Sequence, residues 1–206
     1  MASRVAVGLN KLGLALKSQA WVGAGERGLT PTQGQILTLL RTRGDRALRL
    51  TQVAEQLAIS PPTASDSVRA LVEKGLVRKA RAKDDARAVA LELTVTGHGE
   101  AQQAAAWPDF LLKAVDTLTP AEQEVFLTSL IKMIGALVER AQIPMQRMCV
   151  VCRHFQPGVH ADRQASHHCK LVDAPLGSRH LRLDCPEHVP AEPDVRRHNL
   201  IAFAPR

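Results

Sequence analysis

All four cysteines of this 206-residue chain stand in its last third. Cys149 and Cys152 form a C-x2-C pair, sixteen residues precede Cys169, and fifteen more precede Cys185. A C-x2-C turn aims two sulfurs at one centre, and two thiolates from separate segments complete a four-sulfur site. Such a set suits tetrahedral zinc or an iron–sulfur cluster. A zinc ribbon usually has two C-x2-C knuckles and this chain has one, while Cys185-Pro186 matches the Cys-Pro ending of some cluster motifs. Arg153, His154, His167, His168, Lys170 and Arg182 would offset the charge of four thiolates. The alternative is a reactive or idle dithiol at Cys149 and Cys152 with two small buried hydrophobes at Cys169 and Cys185. Any of His154, His160, His167, His168, His180 and His188 could replace a cysteine as ligand, although each taken singly reads as a surface histidine.

The second constellation is basic. Arg78, Lys79, Arg81, Lys83 and Arg87 face only Asp84 and Asp85 in a short ribbon, which suits phosphate or minor-groove contact. By itself this is an ordinary solvated hairpin; directly after two short helices joined by a tight turn it reads as a DNA-contacting wing. A helix over residues 60–74 can lie in a major groove, with Ser60, Pro62, Thr63, Ser65, Asp66 and Arg69 toward DNA. Ala64, Val68, Leu71 and Val72 hold it to the body.

The elements that position these residues follow from local signals. Val5, Leu9, Leu12 and Leu16 share one helical face. Gly23, Gly25 and Gly28 are expected to break that helix. Thr30-Pro31-Thr32-Gln33 is a capping box that starts a helix with Ile36, Leu37, Leu39 and Leu40 inward, ending at Gly44-Asp45. After a short extended piece at 47–50, Thr51 is expected to cap a compact helix. Ser60-Pro61 opens the next, which Gly75 ends. Residues 76–81 and 88–93 read as two strands. The helical pattern from Thr96 to about Val115 is interrupted at Trp107-Pro108. Thr119-Pro120-Ala121-Glu122 caps a long helix carrying Phe126, Leu130, Ile134, Leu137 and Val138, and Pro144 closes it.

Hydrophobic residues make up 45% of the chain, enough for a buried core, and the six aromatic residues make base stacking a poor mode of nucleic-acid binding. The net charge of +7 favours a polyanionic partner. Without an apolar run of about 18–20 residues or a signal-peptide pattern, the chain reads as cytoplasmic and not membrane-bound, with reduced or metal-bound thiols.

The run Leu50-Thr51-Gln52-Val53-Ala54-Glu55-Gln56-Leu57-Ala58-Ile59-Ser60, then Leu71-Val72-Glu73-Lys74-Gly75-Leu76-Val77, then Asp85-Ala86-Arg87-Ala88-Val89-Ala90-Leu91-Glu92-Leu93-Thr94, resembles the MarR family of bacterial regulators over residues 5–142. The resemblance implies an obligate homodimer joined by its N-terminal and last helices, here the 5–16 stripe and residues 119–142. It implies two recognition helices on a palindromic double-stranded operator, and a wing arginine in the minor groove oriented by an aspartate, positions held by Arg87 and Asp85. Asp66 departs from the pattern, standing where many members carry arginine; it could accept from cytosine or orient Arg69.

The expected fold is therefore mainly α with a small β wing: a winged helix-turn-helix domain with dimerisation helices at 1–143, an irregular Cys/His-rich module at 144–190, and a flexible tail at 191–206. The expected function is a DNA-binding regulator, a repressor, whose cysteine module stabilises the dimer or reports redox or metal state. A second possibility is regulation by a small-molecule effector, with a purely structural module. A third, a thiol oxidoreductase using Cys149 and Cys152, lacks the βαβ context of a thioredoxin-like site, and no other catalytic arrangement accompanies it.

Overall fold

The computed structural model describes residues 1–44, 47–81 and 89–203. It divides into two compact units, Met1–Ala114 and Val115–Arg206.

In the first unit, α1 (Ala2–Glu26) precedes α2 (Pro31–Thr42), β1 (Leu48–Arg49), α3 (Leu50–Gln56), α4 (Pro61–Glu73), β2 (Val77–Arg81), β3 (Val89–Leu93) and α5 (Val95–Ala105). α6 (Phe110–Val115) runs to the boundary. The three strands form an antiparallel sheet in the order β1-β3-β2. Ile36, Leu37, Val53, Val68, Leu71, Val77 and Leu91 form the core beneath them.

Local signals decide several boundaries. The Thr30 hydroxyl accepts from the Gln33 amide at 3.2 Å, while the Gln33 side chain takes the Thr30 amide, closing the capping box. Thr51 is not the cap expected of it: α3 begins at Leu50, and the Arg49 amide donates to Gln52 Oε1 at 2.9 Å. The expected break at Gly23 and Gly25 is also absent, since α1 continues to Glu26 and the left-handed residue is Gly28. The cause lies far along the chain. A Cβ on Gly23 would meet Trp107 Cδ1 at 2.7 Å, and one on Gly34 would meet Trp107 Cη2 at 2.2 Å. These glycines let the indole wedge between α1 and α2. Trp107-Pro108 does interrupt the helical run: residues Trp107–Asp109 form a 3-10 turn between α5 and α6.

The second unit begins with α7 (Pro120–Glu139), capped by Thr119, and continues into β4 (Phe155–Gln156), β5 (His167–Cys169), β6 (Ala174–Leu176) and α8 (Pro193–Phe203). β4-β5-β6 is a second antiparallel sheet. Ile131 of α7, Met148, Val150, Val151, Phe155, Leu181 and Phe203 share one core. Two expectations about organisation are corrected here. α7 packs with the cysteine segment, so no boundary falls near Pro144. Residues 193–203 are not a tail but a helix anchored by buried Asn199 and Phe203, by Leu200 against Gly135, and by the Arg196–Glu139 ion pair.

Among the described residues, no helix is long and apolar enough to cross a membrane.

Candidate nucleic-acid interface and cysteine site

In the first unit α3 and α4 are joined by a turn in which Ala58 takes a left-handed backbone (φ 52°). Ser60 then caps α4: its hydroxyl accepts from the Thr63 amide at 3.2 Å and lies 2.7 Å from Thr63 Oγ1. Pro61 at the first helical position needs no amide partner. Buried Ala64, Val68 and Leu71 fix the inner face of α4. Ser60, Pro62, Thr63, Ser65, Asp66 and Arg69 are all exposed on the outer side. Asp66 Oδ1 accepts from Arg69 Nη2 at 2.7 Å, so the acidic residue restrains the guanidinium beside it. Both side chains are two-thirds exposed, so this pair contributes little to stability.

The ribbon follows at the far side of Gly75. Arg78, Lys79 and Arg81 lie on β2 and are exposed. Arg78 pairs across the strands with Glu92, donating from Nη2 at 2.8 Å. Lys83, Asp85 and Arg87 lie outside the described residues. The base of the ribbon is held by Thr94, whose hydroxyl donates to the Gly75 carbonyl at 2.7 Å and accepts from the Gly97 amide at 3.0 Å.

In the second unit all four cysteines line one pocket, together with His154, Phe155, Leu171, Leu176 and Glu187. Backbone pairing brings them there. Cys149 and Cys152 stand at a 3-10 turn, Cys149–Val151, whose Val150 and Val151 are buried in the core. The Cys149 amide donates to the Arg182 carbonyl at 3.0 Å, and the Arg182 amide returns to Cys149 Sγ at 3.2 Å. The Cys185 amide donates to the Arg147 carbonyl at 2.8 Å, and Arg147 Nε donates to the Cys185 carbonyl at 2.8 Å. Cys169 on β5 is in register with Phe155 on β4, three residues past Cys152. Burial pushes the Cys149 thiol up; the Arg182 amide opposes this, and Cys185, Cys169 and Cys152 reinforce it.

The histidines divide by environment. His167 is buried against Phe155 and Phe203, with Nδ1 accepting from the Gly158 amide at 3.2 Å, so it is a packing residue. His160 and His168 face each other at 3.2 Å. Among the described residues, His154 is the histidine that lines the cysteine pocket. Reading the sequence alone missed Arg147 and Asn199 as supports; buried Asn199 reaches the Cys152 carbonyl, at 3.4 Å. Nothing local to either residue announces a partner 38 or 47 positions away.

Residues 27–88 match the MarR family model. The chain is similar to MepR of Staphylococcus aureus in its DNA complex, at 22% identity and a TM-score of 0.56, covering 64% of this chain and 97% of that one. MepR described as a transcription regulator of the multidrug efflux pump MepA gives 22% identity and a TM-score of 0.51, covering 63% and 95%. A point mutant of Lactococcus lactis ZitR is 31% identical over 55% of this chain and 76% of its own, with a TM-score of 0.39. No curated protein matches the chain. The family match spans the capped α2, the α3–turn–α4 pair and β2, the same elements that present the exposed α4 face and the basic strand, so residues 27–88 are similar to the MarR family and this part of the chain shares the fold of the MepR structures.

Proposed function

We propose that this protein acts as a homodimeric repressor that reads a palindromic operator with α4 and the wing. The observation that carries the reading is the division of α4. Its inner residues Ala64, Val68 and Leu71 are buried, while Ser60, Thr63, Ser65, Asp66 and Arg69 are exposed, as are Lys79 and Arg81 of β2. A helix clamped on one side and polar on the other can enter a major groove without disturbing the core.

Dimerisation is supported by large apolar side chains left exposed on two helices. On α1, Val5, Leu12, Leu16, Trp21 and Val22 are exposed, and on α7 Val125, Phe126, Met133 and Leu137 are. α7 is thus two-sided: Ile131, Gly135 and Val138 pack inward, and the opposite side offers a contact surface.

The four thiols form a metal-holding site in this reading. Because the 149–151 turn shares its core with α7 and α8, filling or emptying the site changes what braces α7. The module thereby reports metal or redox state to a dimerisation helix. The test is operator binding by the intact protein before and after chelation, beside Cys149→Ser. Binding that depends on occupancy in the wild type and is chelator-insensitive in the variant supports the reading. Identical operator affinity in all four conditions refutes it.

A further inference from the structure

We propose that His160 and His168 form a metal site separate from the four thiols, one that takes a single divalent transition ion through imidazole nitrogen. His168 and Cys169 are neighbours on β5, so their side chains leave opposite faces of the strand. Neither His160 nor His168 borders the cysteine pocket.

His160 Nε2 and His168 Nδ1 face each other at 3.2 Å, with the ring planes inclined by 60°. With metal–nitrogen bonds of about 2.0–2.1 Å, two imidazoles on one ion hold their nitrogens roughly 2.9–3.4 Å apart as the angle opens from square to tetrahedral. The pair already stands at ligand spacing. In the metal-free chain one proton bridges the two nitrogens. The ion takes the place of that proton, which passes to solvent.

Two features fix the pair before an ion arrives. Residues 158–160 run beside 166–168, joined by the His160 amide to the Ser166 carbonyl at 3.0 Å and by the Gly158 amide to His167 Nδ1 at 3.2 Å. On the far side of the His168 ring, Asp173 Oδ1 lies 3.2 Å from Nε2. A carboxylate there draws the ring proton to Nε2 and leaves the Nδ1 lone pair turned toward His160, the arrangement by which ligating histidines are oriented. Asp173 reaches that position from the β5–β6 turn through a left-handed backbone (φ 49°). Among the described residues no third His, Cys, Asp or Glu side chain joins the two imidazoles, so water completes the coordination. Imidazole ligands suit zinc, copper and nickel.

The test is equilibrium dialysis of the full chain, free of any affinity tag, against nickel. Wild type is compared with His160→Ala and Asp173→Asn; both residues are exposed, so neither change opens the core. All three proteins keep the four thiols, and nickel held there is common to them. Expected is one more nickel per chain in wild type than in His160→Ala, with that extra ion held about 10- to 100-fold more weakly by Asp173→Asn. Equal nickel uptake by all three proteins overturns the site. An extra ion held equally well by Asp173→Asn overturns the orienting role of the carboxylate. Either result leaves the reading of the thiols untouched, because that reading is tested by operator binding and not by nickel.

Discussion

Replacing Gly97 with alanine sets helix propensity against packing, and the two predict opposite signs. Gly97 lies in the first turn of α5, where alanine is favoured over glycine by up to about 1 kcal/mol. A Cβ there would sit 1.9 Å from the Leu76 carbonyl oxygen, a backbone atom that has no rotamer to escape into. α5 must therefore withdraw from the base of the wing. Withdrawal strains the Thr94 hydroxyl bonds to the Gly75 carbonyl and the Gly97 amide, and the Thr94 amide bond to the Leu76 carbonyl. At about 1 kcal/mol for each of three hydrogen bonds, less the propensity gain, Gly97→Ala destabilises the first unit by about 2 kcal/mol. Gly99, in the same helix, has nothing within 4 Å of its added Cβ, so Gly99→Ala gains up to about 1 kcal/mol. Urea unfolding followed by circular dichroism separates them. Equal stabilisation by both variants would refute the packing argument.

Arg69→Ala should weaken operator binding about 10- to 100-fold, on the scale of one lost base contact, and anisotropy titration measures it. Asp66→Asn, which releases Arg69, should leave thermal stability within about 0.5 kcal/mol while altering the preferred operator bases in a selection experiment. Phe126→Asp with Leu137→Asp should yield a folded monomer by sedimentation, since both side chains are exposed on α7; an intact dimer would remove α7 from the interface. The Arg27 guanidinium holds the Glu100 carboxyl below its usual range, chiefly by direct hydrogen bonding. The unfolded chain then binds the proton more readily, so this contribution is present above the ordinary carboxylate range and lost as pH falls through the lowered value. Glu100→Gln should flatten that part of the acid unfolding curve.

Much of the fold was legible because its signals are local. The Thr30–Gln33 and Thr119–Glu122 boxes, the Ser60 cap and the left-handed Gly75 each depend on residues within a turn of one another. What escaped notice depends on distant partners. Gly23 reads as a helix breaker until Trp107 is seen against it. The polar segment at 193–203 reads as a tail because only Asn199, Leu200 and Phe203 of it face the core. The convergence of four cysteines was legible from their spacing, but the pocket they border is made by β4-β5 register and by Arg147, which spacing does not encode.

The most direct test of the central claim is selection of bound duplexes from a random pool, followed by the stoichiometry of the winning site. The account predicts an enriched palindrome whose half-sites lie about one helical turn apart, occupied by two protomers, with enrichment lost in Arg69→Ala. Binding without sequence enrichment, or one protomer per saturated site, would contradict it.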